Sequence, residues 1–95
     1  MISSFGNKET EIVFQGFKSR QLPSEIQNVA RRKLVYLHEA KDIRDLLSPP
    51  GNRLEKLSGD RAGKYSIRVN DQWRICFRWF EKTNEATEVV VEDYH

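Results

Sequence analysis

Cysteine is almost absent: Cys76 is the only one in 95 residues, which excludes an internal disulfide. Histidine is scarce as well, and His38 and His95 with Cys76 make no set at the spacing of a structural zinc site. No apolar run approaches the roughly 18 to 20 residues that span a bilayer. The start, Met1 to Phe17, lacks the basic residues and apolar stretch of a secretory leader. The expected location is therefore the cytoplasm, with no membrane partner. There is no Gly-rich phosphate loop, no dinucleotide-binding turn and no acidic cluster suited to Mg²⁺, which disfavours a metal-dependent nuclease. What the chain has instead is charge. Charged residues make up 32%, hydrophobic residues 38% and aromatics 11%, with a net charge of +2, so the composition is that of a globular domain and not of a disordered chain. Single cores run to roughly 100 to 150 residues, so residues 1–95 are expected to form one domain.

The charge is unevenly spread. Residues 1–50 balance at +2, and residues 51–78 set seven bases (Arg53, Lys56, Arg61, Lys64, Arg68, Arg74, Arg78) against Glu55, Asp60 and Asp71 for +4. Residues 79–95 reverse this, with Lys82 against Glu81, Glu85, Glu88, Glu92 and Asp93 for −4. An Arg-rich segment suits bidentate contacts to phosphate, and it equally suits strands whose outer face carries solvated charge.

Met1 to Phe5 reads as a short edge strand, ended by Gly6-Asn7, which can cap a helix over Lys8 to Phe17 with Val13 and Phe17 on one face. From Pro23 to Glu39, Ile26, Val29, Ala30, Leu34 and Leu37 form one apolar helical stripe. Arg31, Arg32 and Lys33 fall on the opposite, wet side, and His38 stands where a base complements the helix dipole. A further helical turn at Asp42 to Leu47 leads into Ser48-Pro49-Pro50-Gly51-Asn52, a rigid connector. Period two then takes over. Arg53 to Leu57, Tyr65 to Val69, Trp73 to Trp79 and Thr87 to Tyr94 read as strands, with Tyr65, Ile67, Val69 and the odd positions of 73–79 on one face. The expected fold is α+β: two or three N-terminal helices packed on one face of a small, mostly antiparallel sheet, the other face being free.

On that free face Arg68 and Arg74 project from neighbouring strands, so two guanidinium groups can converge on one phosphate and stabilise the charge of a displacement. The same pair serves equally in RNA binding or in a salt-bridge ladder. Glu55 is either a general base or a charge partner for the surrounding cations. Tyr94 and His95 bring a phenol and an imidazole to the last strand, where they can act on a phosphate or simply fray. Without an acidic metal cluster, the compatible chemistry is RNA cleavage with the 2′-hydroxyl as internal nucleophile. Cys76 reads as a small strand residue.

Residues 57–77, with their Leu-x-Gly-x-Arg-x-Gly, Ser-Ile-Arg-Val and Gln-Trp-Arg elements, resemble the HigB-type toxins of the RelE superfamily. The likeness extends to the Met-Ile-x-Ser-Phe start and the Glu92-Asp93-Tyr94-His95 end, and the run at 48–55 is similar to the GraT branch. The resemblance implies a twisted RelE-like sheet and a type II toxin that cleaves mRNA in the ribosomal A site without metal or other cofactor. It implies that Arg68 and Arg74 hold the scissile phosphate and that Tyr94 and His95 are catalytic. Some members carry histidine where this chain has Glu55, but others of the superfamily use a Glu as general base, which makes Glu55 a candidate, with His95 as the competing base or the general acid. Arg53, Lys56, Arg61, Lys64 and Arg78 are the expected RNA contacts by charge. Partners implied are a HigA-type helix-turn-helix antitoxin, the 70S ribosome with its mRNA, and operator DNA through the antitoxin alone, the free toxin being a monomer. Other classes remain open: a non-catalytic inhibitor that occupies the ribosome or RNA, and a weak toxin acting mainly in autorepression.

Overall fold

The computed structural model describes residues 1–93. Asn7 caps the first helix, α1 (Lys8–Phe14), its side-chain oxygen accepting the Thr10 N–H at 2.9 Å and so satisfying a donor that a helix start leaves open. The helix stops a turn earlier than the spacing of Val13 and Phe17 predicts. Gly16, at φ 93°, takes the chain out of helical geometry, and Phe17 is 68% exposed instead of sharing the buried face of Val13. The second helix, α2 (Ser24–Glu39), buries Ile26, Ala30, Leu34 and Leu37 as the stripe predicts. Its basic run splits: Arg31 and Arg32 are exposed, but Lys33 is buried, its Nζ donating to Oδ1 of Asn52. His38 does more than face the dipole. Its Nδ1 accepts the Ile2 N–H at 3.1 Å and its ring packs on Phe14, tying the N-terminal segment to the helix layer.

A 3₁₀ turn at Ile43–Leu47, capped by Asp42 and Asp45, and a second at Pro50–Asn52 lead into the sheet. The strands β1 (Glu55–Lys56), β2 (Lys64–Arg68), β3 (Trp73–Phe80) and β4 (Glu85–Asp93) lie in that order, each antiparallel to its neighbours. The expected strand at 53–57 is thus two residues long, because Arg53 adopts a left-handed conformation that breaks extended geometry. The N-terminal segment does not form a full strand either. Ile2 and Phe5 make isolated parallel bridges to Ala86 and Val89.

Both helices pack on one sheet face, α2 against β3 and β4 and α1 against β4. Ile67, Ile75, Phe77, Ala86 and Val89 are completely buried there. Phe77 stacks on Tyr65 and meets Trp79 edge-on, so Phe77→Ala is expected to cost roughly 3 to 5 kcal/mol. In β4 the inward positions change parity, from Ala86 to Val89 and Val91. A bulge opposite Phe77 causes this: the pairing runs Cys76 with Val90 but Arg78 with Thr87, and Glu88 takes up the extra residue at φ 53°. The strand starts at Glu85, two residues before the Thr87 expected from the sequence. The outer face is not free as expected. Segment 53–61 folds over it, leaving Ser66, Cys76 and Arg74 buried. No helix among the described residues is long and apolar enough to cross a membrane.

Candidate functional site

Arg68 and Arg74 face each other as Cα partners across β2 and β3, and Glu92 lies opposite Arg74 on the next strand. In the adjoining row, Glu55, Ser66 and Cys76 are partners across β1, β2 and β3. Period-two geometry places all these side chains on the outer face.

Arg74 is only 7% exposed, and its guanidinium is held on several acceptors. Nε donates to Ser66 Oγ at 2.8 Å, and Nη2 donates to the Arg53 carbonyl at 2.6 Å and the Ser66 carbonyl at 3.3 Å. The Glu55 carboxylate stands 3.9 Å from Nη2, half exposed, as a loose ion pair. Three of these acceptors are neutral, and they fix the orientation of the guanidinium. Arg68 is more open. Its Nη2 donates to Asp71, a carboxylate that is 99% exposed in the turn between β2 and β3, and that hydrogen bond, with the charge behind it, holds the Asp71 carboxyl below its ordinary range.

The remaining cations divide into two sets. Arg61 pairs with Glu92, while Arg78 and Lys64 both reach Glu88, at 2.9 Å and 3.8 Å. The acidic last strand thus lies beside the basic segment and neutralises part of it. Arg53 and Lys56 have no carboxylate within 4.0 Å of their side-chain nitrogens among the described residues. Lys56 pairs in register with Tyr65, which puts it on the opposite face from Glu55. Burial, and then the neighbouring Glu92 carboxylate, push the Cys76 thiol up to about 12, so it stays protonated and unreactive near neutral pH. Burial raises the Glu92 carboxyl, but hydrogen bonds from Cys76 and Arg61 and the charges of Arg61 and Lys64 outweigh it and leave a net lowering. Tyr94 and His95 lie outside the described residues. Among those residues no three His, Cys, Asp or Glu side chains group as a metal site.

Sequence reasoning paired Arg68 with Arg74 but missed what holds them. Ser66 was detectable, since it shares the face of Arg68 two residues on. Asn52, Lys33 and the Arg53 carbonyl were not, because their contacts cross between elements.

A sequence model described as the RelE-like toxin of the type II toxin–antitoxin system HigB matches residues 3–95. The chain belongs to this HigB-like toxin family. Toxin HigB-1 of Vibrio cholerae is 43% identical over 82 residues, covering 85% of this chain and 86% of that protein. Endoribonuclease HigB of Proteus vulgaris is 30% identical over 95 residues, the full length of both. Among solved structures, a chain of the YoeB-YefM complex from Staphylococcus aureus superposes with a TM-score of 0.55 at 19% identity, covering 100% of this chain and 95% of its own, which bears on the fold alone. A HigB-type toxin of the RelE superfamily, built as two helices on an antiparallel four-stranded sheet, is what the sequence resemblance led one to expect.

Proposed function

We propose that this HigB-like toxin is a ribosome-dependent endoribonuclease that cuts mRNA in the A site and so stops translation. The observation that carries this is the direct pairing of Arg68 and Arg74, with Arg74 oriented by neutral acceptors. Support comes also from the relative named Endoribonuclease HigB.

In the reaction, the 2′-oxygen attacks the adjacent phosphorus and the bond to the 5′-oxygen breaks, leaving a 2′,3′-cyclic phosphate and a 5′-hydroxyl. Glu55 takes the 2′ proton and His95 returns one to the 5′-oxygen, with no metal or other cofactor. Arg68 and Arg74 stabilise the charge gathering on the phosphoryl oxygens, and Tyr94 orients the nucleotide. Arg53 and Lys56 contact RNA backbone directly. Arg61, Lys64 and Arg78 do so only by exchanging Glu92 and Glu88 for phosphate. The toxin acts in the cytoplasm, is monomeric alone, and is neutralised by a HigA-type helix-turn-helix antitoxin, which alone carries it to operator DNA.

The test is incubation of the protein with mRNA on 70S ribosomes and with the same mRNA free, with new 5′ ends mapped by primer extension. Cuts at A-site codons on ribosomes alone are expected. Cuts on free RNA contradict ribosome dependence, and inhibited translation with intact mRNA transfers the weight to a non-catalytic occupant.

A further inference from the structure

The connector at 48–52 has no part in the chemistry above, yet it carries a buried polar side chain with three hydrogen bonds. Asn52 is completely buried. Its Nδ2 donates to the carbonyls of Leu46 and Ser48, both at 3.2 Å, its own N–H donates to the Pro49 carbonyl at 2.9 Å, and its Oδ1 accepts from the Lys33 ammonium. A buried ammonium is costly unless it is paired, and an apolar residue would extend the α2 stripe more simply. The lysine is therefore an expensive choice at a packing position.

The residue after Asn52 shows what the choice accomplishes. Arg53 sits at φ 44° and ψ 59°, a conformation that non-glycine residues rarely adopt and that persists only where surrounding contacts enforce it. Asn52 anchors one side of it. On the other side its carbonyl receives Arg74 Nη2 at 2.6 Å. One continuous chain of contacts thus runs from α2 through Lys33, Asn52 and the Arg53 carbonyl to Arg74 and on to Ser66. Lys33 also lies within electrostatic reach of Arg68: burial, then the charges of Arg32 and Arg68, lower its pKa.

We propose that Lys33 and Asn52 are positioning residues for Arg74, clamping the connector so that the Arg53 carbonyl stands fixed against the guanidinium and sets its orientation on the outer face of the sheet. This rests on the catalytic role assigned to Arg74 above. The network is a device of the site and not a way of filling the core.

Two readouts on the full chain decide it: solvent exchange of the Arg74 Nε–H, followed by ¹⁵N NMR and assigned with Arg74→Ala, and single-turnover cleavage on programmed ribosomes. Lys33→Met keeps the aliphatic bulk, and Asn52→Ala removes the anchor. Each is expected to retain the dispersed amide spectrum of the sheet and ribosome binding, to speed Nε–H exchange at least roughly tenfold, and to slow cleavage on the order of 100-fold, the scale of a misplaced catalytic group. The double variant should be no slower than the slower single one. A folded Lys33→Met with unchanged exchange and unchanged cleavage overturns the proposal, as does a change in either readout without the other. If the parent protein does not cleave, the assigned function falls and the exchange readout alone decides the positioning. If Asn52→Ala does not fold, Lys33→Met decides; if neither folds, the network builds the fold and the proposal is overturned.

Discussion

The two ends of the sheet's outer face carry similar side chains and hold them differently. At the end near the β2–β3 turn, Arg74 is bound by a hydroxyl and two carbonyls with the Glu55 carboxylate 3.9 Å away, and Arg68 by a carboxylate that is itself almost fully exposed. At the other end, Arg78 and Lys64 share Glu88, which the bulge in β4 brings over them. Neutral acceptors orient a cation and leave its charge for a ligand, whereas a carboxylate supplies the charge the ligand would have brought. A basic segment is therefore not one surface. At one end Arg74 is gripped by neutral groups with Glu55 as a looser carboxylate partner, and at the other the cations lean on a shared carboxylate.

The largest effect expected from breaking this contrast is at the buried arginine. Arg74→Ala should lower ribosome-dependent cleavage by about 100- to 1,000-fold, the usual cost of losing one preorganised transition-state donor. Arg74→Lys should rescue little, because one ammonium cannot span Ser66 Oγ and the Arg53 carbonyl together. Single-turnover rates measure both, and wild-type rates in either variant contradict the assignment. Arg68→Ala should act in the same direction but more weakly, by roughly 10- to 100-fold, the worth of a hydrogen bond to a charged group. Equal losses at 68 and 74 would show that the difference in how the two are held is immaterial.

Glu88→Gln should convert the quiet end into something like the active one. Freed of their carboxylate, Arg78 and Lys64 should strengthen binding to single-stranded RNA a few-fold, and the dependence of log affinity on log salt should steepen by about 0.7 for each cation recruited. A titration at several salt concentrations measures this, and an unchanged slope means the two cations do not reach RNA. The smallest effect concerns acid stability. The Glu92 carboxyl is lowered in the folded state, so its contribution is present above its ordinary value near 4.5 and is lost as pH falls through the depressed folded value. Glu92→Gln should flatten that part of the stability curve in chemical denaturation below pH 5, and an unaltered curve would show that the pair with Arg61 adds nothing.

Much of this was legible in the chain. The apolar stripe of α2 and the alternation of 65–69 and 73–79 report side-chain direction directly, because helix and strand periods project every residue to a known face. That projection also put Arg68 and Arg74 on one side of the sheet. It failed where the period itself breaks. The bulge at Glu88 shifts the parity of β4, Gly16 ends α1 before Phe17, and Arg53 interrupts the strand at 53–57. It also misread Lys33, since one residue of a basic run can be buried when a partner from a distant segment reaches it.

The sequence by itself determined the class of fold, the family and the pair of arginines, because each depends on residue type and spacing along the chain. The tertiary structure alone decided which acceptors each cation meets, that Cys76 stays a protonated thiol, and that Arg74 is linked to α2 through the Arg53 carbonyl and Asn52. These depend on burial and on contacts between residues far apart in the chain, such as Arg61 with Glu92 and Lys33 with Asn52, and local periodicity carries no information about them.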